Sequence, residues 1–129
     1  MKRALLLIAI ATTLYACEKE GAVNASVFGK YELRASYGGF SYHYDKFPAG
    51  NGRIFQFKSD STYIRYADGA VAASGVYHIK ITGAENGARY GSIAFDSPDY
   101  PEAFRIKGDT ITIGTTITDG IAADYVKLK

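Results

Sequence analysis

The sequence predicts an all-β domain: an eight-stranded antiparallel up-and-down meander closed into a small barrel, with a two-sheet β-sandwich as the alternative. Three observations carry that expectation. From Phe28 onward, apolar and polar residues alternate in segments rich in aromatic and β-branched side chains, and period two is the spacing of a half-buried strand. Turn signals recur every eight to fifteen residues, among them Asn51-Gly52, Asp68-Gly69, Gly108-Asp109 and Asp119-Gly120. Asn-Gly and Asp-Gly tolerate the positive φ that tight hairpins demand. No segment of this region carries long helical periodicity. Sequential strands joined by tight turns favour a meander, and curling it into a barrel removes exposed edges.

The strands fall at roughly 28–36, 52–59, 62–67, 71–82, 91–96, 103–107, 110–115 and 121–128. In the first, Tyr31, Leu33 and Ala35 alternate with Lys30, Glu32 and Arg34. Phe55 and Phe57 flank Gln56 in the second, and the third restarts at Thr62-Tyr63 after the turn at Asp60-Ser61. Tyr77, Ile79 and Ile81 alternate with His78 and Lys80 in the fourth. Ile93 and Phe95, Phe104 and Ile106, then Ile111 and Ile113 mark the inward phase of the next three. In the last strand either Tyr125 points inward or Val126 and Leu128 do. Each buried side chain of this size is worth about 1.5–3 kcal/mol before entropy. A barrel of eight strands is just wide enough to be filled by its own side chains or to hold one small ligand, and the pattern leaves both open.

The chain has 129 residues, 47% of them hydrophobic and 22% charged, which suits one globular domain. Setting aside residues 1–16, which contain Lys2 and Arg3, leaves 13 basic and 13 acidic residues. A formally neutral domain lacks the electrostatic footprint of a nucleic-acid binder. The single cysteine excludes an internal disulfide and a Cys-based zinc site.

Residues 1–16 read as a signal peptide: Lys2 and Arg3, then the apolar run Ala4 to Leu14, then the small Ala16. Eleven helical residues rise roughly 17 Å, short of a hydrocarbon core of about 30 Å, so a membrane span is not expected. Leu14-Tyr15-Ala16-Cys17 resembles the lipobox of bacterial lipoproteins. The resemblance implies acylation of Cys17 by more than one chain, which makes an anchor stable. Residues 17–27 then form the lipidated cysteine and a polar tether, and residues 28–129 the folded domain. Glu18 beside the cysteine implies, by the same resemblance, sorting to the outer membrane, with its periplasmic or outer face left open.

Gly29-Lys30-Tyr31-Glu32-Leu33 opens its strand like the Gly-X-Trp start of lipocalins, with Tyr31 in the tryptophan's place. The Phe55 to Tyr63 hairpin, Ser74 to Ile79 and the late Ile106 to Ile113 hairpin extend the likeness. Together these resemble the small lipocalin-like domains of bacterial lipoproteins over nearly all of residues 28–128. That family resemblance implies a lipocalin-like barrel whose first long connection folds over one mouth as a lid.

No catalytic constellation is present: no Gly-X-Ser-X-Gly elbow, His-Glu-X-X-His, phosphate loop or dinucleotide fingerprint. No enzyme activity, cofactor, catalytic residue or metal site is therefore expected. His43 and His78 lack patterned partners, and His78 falls on the outward phase of its strand. Asp96, Asp99 and Glu102 have oxygen ligands suited to calcium, but their spacing follows no known loop, so a solvated connection is expected.

One segment stands apart. Tyr37, Phe40, Tyr42, Tyr44 and Phe47 fall within eleven positions between the first two predicted strands, bounded by Gly38-Gly39 and Pro48. Tyrosine offers a flat apolar face and a hydroxyl, which suits amphipathic partners. Either these rings plug the barrel end as core, or Phe40, Tyr42 and Tyr44 form a ligand-binding rim. The expectation is a lipid-anchored binding module for a small amphipathic ligand, a sugar or lipid. The alternative is an interaction subunit or inhibitor with a filled barrel, docking a protein through residues 37–48.

Overall fold

The computed structural model describes residues 27–96 and 100–129; the expected signal peptide, Cys17 and the tether as far as residue 26 lie outside the described residues. The described residues form nine strands, eight from the alternating segments and one, β2, outside them: β1 (Gly29–Gly38), β2 (His43–Lys46), β3 (Ile54–Phe57), β4 (Thr62–Ala67), β5 (Ala70–Glu85), β6 (Ala88–Phe95), β7 (Pro101–Lys107), β8 (Thr110–Gly114) and β9 (Ile121–Lys127). Neighbours pair antiparallel, and β1 also pairs with β9, from Tyr31 opposite Lys127 to Gly38 opposite Ile121. The ring is therefore closed, an eight-stranded barrel rather than a sandwich, with β2 as one extra strand.

One strand serves two neighbours along a single edge. The first half of β1 pairs with β3 through Gly29 to Glu32, and its second half pairs with β2 through Ala35 to Gly38. β5 follows β4 as far as Val76 and β6 from Tyr77 onward. Register shifts at Arg65/Tyr66 and Ile81/Gly83 bend it between them. A meander alternates its connections between two ends. At the base lie the start of β1, the end of β9 and the β3–β4, β5–β6 and β7–β8 turns. At the mouth lie the β1–β2 hairpin, the β2–β3 loop and the β4–β5, β6–β7 and β8–β9 connections.

Aromatic rings fill the interior towards the base. Phe55 has ring centroids at 5.6 Å from both Phe57 and Phe95, 6.1 Å from Tyr63 and 5.2 Å from Tyr125. Phe57 meets Tyr77 at 4.9 Å and Tyr31 at 6.0 Å, both edge-on, the arrangement ring quadrupoles prefer. Ile93, Phe104 and Ile111 complete a cluster that water does not reach. Of the two options for the last strand, Tyr125 is the inward one. Ile79 and Ile81 only edge the cluster, whereas Tyr63 is buried within it. At the base, the Tyr77 hydroxyl donates to the Lys58 carbonyl at 3.0 Å, and the Lys127 ammonium lies 6.0 Å from the Tyr31 ring centroid.

Candidate functional site

A single extra residue in β1 decides where the aromatic segment goes. The pairing with β9 passes from Leu33 opposite Tyr125 to Ala35 opposite Asp124, so Arg34 is bulged out. Because side chains alternate, one inserted residue inverts the faces beyond it. Tyr31 and Leu33 point into the barrel, but Tyr37 shares the outer face with Asp124. The bulge is held in place by Glu32, a carboxylate only 3% exposed. Glu32 pairs with the Arg34 guanidinium at 3.0 Å and accepts the Gly50 N–H at 2.9 Å. The Asn51 amide then clips the β2–β3 loop down by donating to the carbonyls of Leu33 and Pro48 at 2.7 and 2.8 Å.

On the outer face the Tyr37 hydroxyl donates to the Asp124 carboxylate at 3.2 Å, and the Thr112 hydroxyl donates to the same oxygen at 2.7 Å. Tyr44 of β2 stacks on Tyr37 at 5.5 Å, with ring planes 17° apart. Burial and the nearby Asp124 charge raise the Tyr37 phenol above its ordinary pKa, so it remains a donor. Four strands thus contribute to one tyrosine-faced surface, Tyr44 on β2, Tyr37 on β1, Asp124 on β9 and Thr112 on β8. The hairpin turns through Gly38 and Gly39, at φ 113 and 85, and closes with the Tyr42 N–H donating to the Gly39 carbonyl at 3.1 Å. Tyr42 itself stands at φ 37, a left-handed backbone that bulky residues rarely adopt.

The sequence-predicted trio is exposed: Phe40 92%, Tyr42 61% and Tyr44 53%. These rings do not plug the barrel. The connection does not cross the mouth as a lid either, because the bulge sends it outward and β2 pairs with the free edge of β1. Other large apolar side chains are exposed at the same end: Val71, Tyr100, Ile117 and Ile121, with Tyr90 the exception on β6.

The mouth holds a second feature, a depression of about 190 Å³ lined by Leu33, Arg53, Ile54, Arg65, Tyr66 and Tyr125, among others. Arg65 lies directly opposite Phe55 across β3–β4, which aims it inward. Arg53 continues the inward phase of Phe55 and Phe57, its guanidinium 5.0 Å from the Phe47 ring centroid. Burial pushes the Tyr125 phenol up to about 12, against the pull of Arg65 and Arg53 and with Glu102 reinforcing it. Glu102 corrects an expectation. It is no solvated loop residue but stands in β7 opposite the buried Ile93, where burial raises its carboxyl. Neither Phe40, Tyr42 nor Tyr44 lines this depression.

His43 and His78 are both exposed on strands. Asp96 is exposed and Asp99 lies outside the described residues; among the described residues no group of three or more His, Cys, Asp or Glu is placed to hold a metal ion. No helix among them is long and apolar enough to cross a membrane. Comparison with protein-family models, with curated proteins and with solved structures found no match for this chain. Sequence reasoning passed over Arg53 and Arg65, although both are in phase with core residues, Arg53 with Phe55 and Arg65 with Tyr63. A charge in the inward phase at a strand end was the available signal.

Proposed function

We propose that this chain is a non-enzymatic, lipid-anchored binding module of a bacterial outer membrane, held by Cys17, that docks a protein partner through the β1–β2 aromatic hairpin. The observation that carries this reading is Tyr42: a bulky ring on a left-handed backbone, 61% exposed, at the tip of a hairpin whose neighbour Tyr44 is fixed by stacking on Tyr37. Strain of this kind costs roughly 1–3 kcal/mol, persists only where the surrounding structure holds it, and clusters at binding and active sites. The filled interior supports docking over enclosure. A depression of about 190 Å³ falls below the roughly 300 Å³ expected of a drug-sized ligand site, so a lipid or sugar held inside the barrel fits less well. The direction of presentation agrees, since the chain enters β1 at the base and the exposed rings stand at the mouth end.

The test is photocrosslinking in cells from position 40 of the full-length chain. A discrete adduct that disappears with Tyr44→Ala is expected; equal labelling from position 78, on the outer wall, would remove the case for the hairpin. Separately, Cys17→Ser should release the protein from the membrane fraction, and unchanged membrane association would end the anchor reading.

A further inference from the structure

We propose that the barrel mouth is a second binding site, for a small anion: a carboxylate or phosphate on a short apolar body, held between the guanidinium groups of Arg53 and Arg65 and the hydroxyl of Tyr125. Register aims Arg65 inward opposite Phe55. Arg53 is positioned by the Phe47 ring at 5.0 Å and by its own N–H, which donates to the Asn51 side chain at 2.8 Å. Neither guanidinium has an ion pair among the described residues, although Glu102 faces the same interior. A guanidinium presents a rigid fork of donors that matches carboxylate and phosphate oxygens. Two such forks converging on one depression, with no carboxylate seated between them, form an anion cradle.

The remaining lining supplies the rest of the recognition. The Tyr125 hydroxyl makes no hydrogen bond to a described residue; it remains protonated, so it has a proton to donate. Its ring packs edge-on against Phe55 at 5.2 Å, which joins the site to the rigid core. Leu33 and Ala67, which share the inward phase of Tyr125 and Arg65, offer apolar wall for a short body. The two arginines outweigh Glu102, so the local balance favours one added negative charge. The volume of about 190 Å³ limits the ligand to a small molecule rather than a long acyl chain. This site is independent of the hairpin, so either can fail without the other.

The test is calorimetric titration of the full-length chain in detergent micelles with benzoate, inorganic phosphate and benzamide. Saturable benzoate binding is expected, with benzamide, which has the same shape without the charge, at least about tenfold weaker. Arg53→Gln and Arg65→Gln should each weaken benzoate about tenfold with unchanged melting temperatures, because both side chains are exposed. Arg65→Lys should restore part of the loss, and His78→Ala should change nothing. Tighter phosphate than benzoate would assign the site to phosphate, and the reverse to carboxylates. Equal binding of benzoate and benzamide, no saturable binding of either anion, or full affinity in both glutamine variants would overturn the proposal.

Discussion

Replacing Tyr42 with glycine should leave the barrel as stable as before, or slightly more so, while abolishing crosslinking from the hairpin. At φ 37 an L side chain costs roughly 1–2 kcal/mol, and glycine adopts that backbone without steric penalty. Against this stands the freedom glycine adds to the unfolded chain, roughly 0.5–1 kcal/mol. The ring itself is 61% exposed, so little packing is lost with it. The balance lies between zero and about 1.5 kcal/mol of stabilisation, each 1 kcal/mol raising Tm by about 4–8 °C for a domain of this size. Thermal and urea unfolding of the full-length chain, followed by circular dichroism, measures it. A loss of more than about 1 kcal/mol would show that the ring holds the hairpin together, and the argument from strain to docking would collapse.

Three further outcomes follow from the packing. Phe55→Ala removes the ring that meets four others and should cost about 3–5 kcal/mol. That is a large share of the roughly 5–15 kcal/mol typical of a domain, and a loss under about 1 kcal/mol in the urea midpoint would contradict a filled interior. Gly91→Ala places a methyl 2.9 Å from the Ile81 Cα and closer still to the Lys80 carbonyl; β5 and β6 must separate, at a cost of about 3 kcal/mol, and amide exchange along both strands should rise. Burial, the largest cause at both sites, pushes the Tyr77 and Tyr125 phenols up to about 12. The folded state thus keeps protons that the unfolded state releases near pH 10, and stability falls as pH rises from about 10 towards 12. Tyr77→Phe should flatten that fall; an unaltered alkaline profile would show that Tyr77 titrates as a free phenol.

The strands were legible because alternation is a local property. Phe55-Gln56-Phe57 or Ile111-Thr112-Ile113 states its inward phase without reference to the rest of the chain. Closure by β1 and β9 followed from the need to cover edges. The bulge was not legible. Nothing in Leu33-Arg34-Ala35 shows that Arg34 is an extra residue, because the bulge is set by Glu32 and by Gly50, whose N–H arrives from a loop. That one position moved Tyr37 and Tyr44 from the expected mouth to the outer wall. β2 was likewise hidden, since its four exposed residues, His43 to Lys46, carry no apolar alternation. Glu102 looked like a loop carboxylate because its neighbours include Pro98 and Pro101. Its inward aim comes only from the pairing with Ile93.

The seam between β1 and β9 has a consequence for synthesis. Tyr31 and Lys127 face each other across roughly a hundred residues of chain, and bringing such distant points together costs about 4 kcal/mol of loop entropy. A nascent chain that has not yet delivered β9 has every other described strand yet leaves the flanks of β1 and β8 unpaired. Such open flanks invite aggregation. β9 therefore acts as the clasp of the ring: until it emerges the barrel is an open ribbon, and once it docks it covers the flanks of both β1 and β8.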